Sequence, residues 1–246
     1  PIPPVAKCAA ARFGIVERFG EPEGVPLLPV TLRNVEAALR TQALSPARAG
    51  MLTPRTDAEI VQWMQKVARY DDWYVPRAQA AREVRQPLPP VLEPQQRDQV
   101  QARMLSLLAG QAGVRTLGLP RAAGNDPRPF EVVGIPLAPG FHVVEIASPL
   151  LGQGLLDARY GAQRTMYVRT TALVTNLAVH LKLGRENAVA WVTTLDKGSV
   201  VAGAAVRVSS CDGRELATAV TDARGIAEIR GLSAFAPVGA TGADPV

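Results

Sequence analysis

Two histidines, two cysteines, one pair of adjacent carboxylates and one glycine-flanked glutamine are where this 246-residue sequence could carry chemistry. His142 stands in GFHVVEI and His180 in LAVHLKL. Each has strand-type neighbours and no acidic or histidine partner at metal-ligand spacing. No HExxH and no His/Cys cluster accompanies them, so a transition metal would lack its ligand set, and each His reads as a half-exposed strand residue. Asp71 and Asp72 are side by side in DDWY. Adjacent residues at a helix end point apart, whereas glycoside hydrolysis needs two carboxyls facing across the scissile bond, so the pair reads as a solvated helix end. Gly152-Gln153-Gly154 looks like the opening of a dinucleotide loop. It lacks the third glycine and a strand running directly into it, and reads as a flexible link. No GxSxG elbow and no phosphate-binding Walker sequence occurs. Cys8 and Cys211 have no neighbouring His to make a thiolate, and they are too far apart in sequence for a redox CxxC or a zinc knuckle. They are either two unrelated thiols or the two ends of one disulfide in an oxidising compartment. No catalytic, cofactor-binding or metal-ligating residue is assigned, and the sequence reads as a structural or recognition module.

The elements that would hold these positions follow from periodicity. In TALVTNLAVHLKLGRENAVAWVTTL the odd positions Leu173, Thr175, Leu177, Val179, Leu181 and Leu183 are nearly all apolar, while Val174, Asn176, Ala178, His180 and Lys182 are mixed. A period of two sends alternate side chains to opposite faces of a strand. Gly184-Arg185-Glu186-Asn187 breaks the run with a charged turn, and Val189, Trp191, Thr193 and Leu195 resume the alternation. The stretch is therefore expected to be an antiparallel hairpin. A membrane helix would need about 20 apolar residues without such a break.

Upstream, Ala11–Glu17 alternates weakly and Pro26–Val35 is strand-like between prolines that confine it to an edge. Thr56-Asp57-Ala58-Glu59 is a capping box, and Ile60, Val61, Met64, Val67 and Ala68 follow at helical spacing, so a helix is expected from about Asp57 to Tyr70. A second is expected from about Gln95 to Ala109, opened by Pro94 and closed by Gly110. QPLPPVLEP (Gln86–Pro94) is a polyproline-like connector between them. Phe130–Ile135 and Gly140–Ile146 read as strands joined by a turn, and residues 150–166 as a connector. Beyond Tyr167 strands and turns alternate. Asp196-Lys197-Gly198, Cys211-Asp212-Gly213-Arg214 and Thr221-Asp222-Ala223-Arg224-Gly225 are the turns. The fold class expected is mainly β, with tandem antiparallel β-sandwich domains of immunoglobulin-like or fibronectin-like type. The first would span 1–155 with a two-helix insertion around 56–110, the second 156–246 with a loop-like or truncated end at Leu232–Val246.

Composition supports packed domains: 47% of residues are hydrophobic, and Gly and Pro number 21 each. The net charge of +5 is spread along the chain with interleaved acids, so no basic patch for nucleic acid is read. Neither a signal peptide nor a membrane span is read in these residues, and both ends look cut from something longer.

Several of these segments together resemble a known family. Tyr167-Val168-Arg169-Thr170, Ala172–His180, Gly184–Asn187, Trp191-Val192-Thr193 and Thr221–Gly225 closely resemble a macroglobulin-like domain near the N-terminus of the bacterial alpha-2-macroglobulins. Gly140–Gly152 resembles the join from the preceding domain, and Lys7–Ala10 and Leu28–Val35 resemble that domain itself. The resemblance implies scaffold, two macroglobulin-like domains from the N-terminal array of a periplasmic broad-range endopeptidase inhibitor active in bacterial defence. Such a protein traps proteases after bait cleavage and is usually an inner-membrane lipoprotein, anchored by a lipid outside this segment. Its thioester needs a Cys-x-x-Gln element, but Cys8 is followed by Ala-Ala-Ala-Arg and Cys211 by Asp-Gly-Arg-Glu, and no bait region can be assigned. Implied partners are proteases, through the full-length protein, and a periplasmic peptidoglycan synthase. No cofactor, enzyme activity or nucleic acid is implied. A periplasmic address favours a Cys8–Cys211 bridge. The alternative reading is an Ig-like stalk module of a cell-surface adhesin.

Overall fold

The computed structural model describes residues 27–32, 48–118, 130–184, 187–210 and 213–231. The chain is mainly antiparallel β with minor helical elements. Its described residues divide into two compact units, one of residues 27–32, 48–55 and 63–174, the other of 56–62 and 175–231.

In the first unit β2 (Arg48–Leu52), β5 (Arg115–Gly118), β7 (Gly140–Ser148) and β8 (Met166–Val174) form a four-stranded sheet in the order β5-β2-β7-β8. A second sheet pairs β1 (Leu27–Leu32) with β6 (Phe130–Pro136). Ala49, Met51, Val144 and Ala172 from the larger sheet pack with Ile135 and Leu137 to make the core. β7, a central strand of this sheet, is mostly buried, His142 and Glu145 included.

Thr56–Glu59 caps α1 (Asp57–Arg69) as expected. Thr56 Oγ1 accepts from the Glu59 amide at 3.2 Å, and Glu59 Oε2 accepts from the Thr56 amide at 3.0 Å. The expected second helix over Gln95–Ala109 is not formed. That stretch is instead a 3₁₀ turn (Pro94–Arg97), β4 (Gln99–Gln101) paired with β3 (Tyr74–Pro76), and a second 3₁₀ turn (Ala102–Met104). Val100, Met104, Leu107 and Leu108, which fall at helical spacing in this stretch, are all buried, but they get there without an α-turn. A short helix absent from the sequence reading, α2 (Arg77–Glu83), precedes the proline-rich connector. Residues 150–166 are not a plain connector either. Ser148 Oγ accepts from the Leu151 amide at 3.1 Å and starts α3 (Pro149–Leu155), with Pro149 in its first turn. Two helical turns are too short to display a period.

In the second unit β9 (Leu177–Leu183), β10 (Asn187–Thr194) and β13 (Ile226–Arg230) form a sheet in the order β13-β10-β9. β11 (Ala205–Ser209) and β12 (Glu215–Val220) form a two-stranded sheet. The expected hairpin is present, with Leu183 opposite Ala188 and Leu177 opposite Thr194. The alternation does not run unbroken from Leu173, because β8 ends at Val174. Leu195 donates its amide to the Asn176 carbonyl at 2.7 Å, and the Asn176 side chain bonds Asp196, which extends the β9–β10 pairing by one step.

The turn Thr221–Gly225 joins the strands around it. Asp222 Oδ1 accepts from the amides of Arg224 (2.8 Å) and Ile226 (2.9 Å), which holds its carboxyl below the usual carboxylate range. Thr221 Oγ1 accepts from the Ala204 amide and donates to the Val201 carbonyl. Gly225 has φ +74°, and a Cβ there would lie 2.7 Å from the Val192 carbonyl oxygen. Gly225→Ala is therefore expected to cost about 1–3 kcal/mol, read as a lower urea midpoint at unchanged slope. Because Asp222 has a lower pKa folded than unfolded, its contribution is full above the ordinary carboxylate value, near 3.8, and is lost as pH falls through the folded one. Asp222→Asn is accordingly expected to flatten the acid limb of a stability–pH curve. An unchanged limb in urea titrations below pH 4 would refute that role.

Candidate functional site

The most chemically loaded cluster among the described residues was not among the sequence candidates. Glu145 on β7 and Arg169 on β8 are opposite each other in the antiparallel ladder, with side chains only 4% and 3% exposed. Arg169 Nη1 donates to the Tyr70 carbonyl at 2.8 Å, and Nη2 to the carbonyls of Leu105 (2.7 Å) and Ala102 (3.1 Å). Its Nε faces Glu145 Oε2 at 3.5 Å, an ion contact rather than a hydrogen bond. Glu145 accepts from Ser106 Oγ at 2.5 Å and from the amides of Leu107 (2.8 Å) and Leu108 (3.4 Å). Gln86 completes the arrangement, donating to the Met104 carbonyl and accepting from the Ser106 amide.

This cluster explains why Gln95–Ala109 is not a helix. An α-helix would spend the Ala102 and Leu105 carbonyls and the Leu107 and Leu108 amides on itself. Here a buried cation and a buried anion take them instead. Burial pulls the Arg169 guanidinium below its ordinary pKa, and the Glu145 carboxylate works against that. Tyr70 lies beside it, with its ring 5.8 Å from the guanidinium carbon, and burial and the Glu83 carboxylate push its hydroxyl above the ordinary value. Lys66, on α1, donates to the Glu83 carbonyl at 2.8 Å, and burial lowers its pKa. With Arg169 and Glu145 turned onto backbone and onto each other, the arrangement holds shape.

The sequence candidates are dispersed. His142 is 1% exposed, contrary to the half-exposed position expected. Its Nδ1 is 3.0 Å from Thr53 Oγ1 and its Nε2 is 2.7 Å from the Ala138 carbonyl oxygen, a buried imidazole satisfied at both nitrogens. Its neighbours Phe141 and Val143 are also buried, because β7 is covered on both faces, and a single apolar-rich strand does not reveal that. His180 is exposed on β9 against the Trp191 ring, with centroids 5.4 Å apart. Asp71 and Asp72 are both exposed just after α1. Gly152 and Gly154 belong to α3, and Gly152 is the point of closest backbone approach, where a Cβ would overlap the Arg164 carbonyl. Cys8 and Cys211 lie outside the described residues, so their pairing does too. Among the described residues no group of three or more His, Cys, Asp or Glu side chains is placed to hold a metal ion, and no helix is long and apolar enough to cross a membrane.

Comparison with known proteins places one part of the chain. Residues 174–245 match the family model of the bacterial alpha-2-macroglobulin MG3 domain. No curated protein matches the chain. Two crystal structures of native alpha-2-macroglobulin from Escherichia coli are similar to it at 14% identity. The one spanning domains NIE-MG1 has a TM-score of 0.45, with 90% of this chain and 85% of that chain covered. The one spanning MG0-NIE-MG1 has a TM-score of 0.41, and the match covers 90% of this chain and 56% of that one.

If the Glu145–Arg169 cluster is a keystone, removing one partner is expected to be far worse than removing both. Arg169→Met should cost about 3–5 kcal/mol, since it strands a buried carboxylate and three carbonyls. The Arg169→Met/Glu145→Gln double variant should recover part of that. Chemical denaturation of the wild type, Arg169→Met, Glu145→Gln and the double variant measures the coupling, and additive losses would deny it.

Proposed function

We propose, taking residues 174–245 as a domain of the bacterial alpha-2-macroglobulin MG3 kind, that this chain is non-catalytic scaffold of a protein of that family. The whole protein would be a periplasmic endopeptidase inhibitor of broad range, tethered to the inner membrane by a lipid and serving bacterial defence. It would trap proteases after bait cleavage, with the bait and thioester supplied outside this segment. The family match carries the reading. It falls on β9–β13, and these strands contain the Thr221–Gly225 turn and the β9–β10 hairpin from which the resemblance was first read.

The geometry supports a mechanical role. Glu145, Arg169, Ser106 and Gln86 spend their polar atoms on internal backbone, so the first unit is held rigid by groups that elsewhere do chemistry. The contribution of such a module to trapping is to keep the parts that are cleaved and the parts that react at fixed distances. Its protein partners are proteases met through the full-length inhibitor, with a periplasmic peptidoglycan synthase as a second candidate.

Mixed at equimolar ratio with trypsin or elastase, the 246-residue chain is expected to leave casein hydrolysis unchanged and to form no adduct that survives denaturing gel electrophoresis. Stoichiometric inhibition by this chain alone would overturn the scaffold assignment. In the producing bacterium, an antibody raised on the chain is expected to detect it in the periplasmic fraction; recovery from the cytosol would remove the inhibitor reading.

A further inference from the structure

The second unit has an inward apolar row with nothing described over it. Ala188 and Ala190 on β10 and Ala227 and Ile229 on β13 are buried against Val206, Val208, Leu216, Ala217 and Ala219 of the β11–β12 sheet. Residues directly opposite in a ladder share a face of the sheet. Leu183 is opposite Ala188, Leu181 opposite Ala190, Val179 opposite Val192 and Leu177 opposite Thr194, so the four β9 side chains point to the same inner side. They are nevertheless 49%, 53%, 58% and 45% exposed. The cause is topological: β12 lies against β13, at the edge of the sheet remote from β9, so the second sheet does not extend over the row.

We propose that residues 232–245 cover this row. Arg230, the last residue of β13, pairs with Asn187, one step from the Ala188 that pairs with Leu183, so the chain leaves the sheet at the Leu183 end of the row. The segment is nearly uncharged, Asp244 being its single ionisable side chain, and it carries Leu232, Phe235 and Val238. At about 3.3 Å per residue it reaches about 45 Å, against about 20 Å for the length of β9. The match to the MG3 domain model continues to residue 245, well past β13, so these residues belong with the strands they would cover. A second copy of the chain is a poorer cover. Four half-exposed aliphatic side chains fall short of the roughly 800 Å² per partner that a stable interface takes.

A benzophenone side chain placed at Phe235 in the intact chain tests this directly. Irradiation of a mixture of isotopically light and heavy protein is expected to link position 235 to the peptide holding Leu177–Leu183 within one molecule. Links between light and heavy chains would show a second copy on the row, and links elsewhere only would leave the segment off it; either result overturns the proposal. In parallel, deleting 232–246 is expected to raise binding of the hydrophobic dye ANS several-fold, as freshly exposed apolar surface does. Leu181→Gln in the deleted chain should reverse much of that gain, and an unchanged dye signal on deletion also overturns the proposal.

Discussion

A guanidinium and a carboxylate removed from water together cost several kcal/mol per ion unless every remaining proton and lone pair finds a partner. Arg169 and Glu145 come close to that demand by drawing in the backbone around them, with Arg169 Nε left to the ion contact alone. Three carbonyls and two amides from the stretch between Tyr70 and Leu108 are bound to the pair, along with the Ser106 hydroxyl. That stretch has little regular structure of its own after α2. Its core side chains Leu105, Leu107 and Leu108 are nonetheless buried as completely as those of any strand. The ion pair supplies the backbone satisfaction that a helix or sheet would otherwise give, and the apolar side chains can then pack on β7 and β8.

The same constraint separates what could be read from the sequence from what could not. Local signals were faithful. The reciprocal Thr56–Glu59 cap, the β9–β10 hairpin and the Asp222 turn each depend on residues within a few positions of one another, and each is in place. The misread helix over Gln95–Ala109 failed for a non-local reason. Val100, Met104, Leu107 and Leu108 carry a helical spacing, but the partners that unwind the segment are on strands at sequence separations of 37–67 residues. The Glu145–Arg169 cluster was invisible for the same cause: in sequence Glu145 and Arg169 look like ordinary polar residues of two strands. His142 was misjudged because burial on both faces of β7 depends on what covers the sheet, and α3 because its two turns show no period.

Chemistry-bearing residue types are therefore present, but their placement gives them structural work. His142 is bonded at both ring nitrogens, Ser106 donates to a buried carboxylate, and the glycines of Gly152-Gln153-Gly154 allow a close crossing of backbone rather than a phosphate cradle.

The order in which the ribosome delivers the Arg169 cluster has a consequence for biogenesis. The Tyr70 carbonyl waits 99 residues for the guanidinium that binds it. At roughly 5–20 residues per second that interval is about 5–20 s of translation. From residue 108 onward the leucines at 105, 107 and 108 are already made, while β8 is not yet complete. Maturation of the first unit is thus committed late and all at once, and a nascent chain stalled before residue 169 would present holdase chaperones with a long, apolar and unanchored loop.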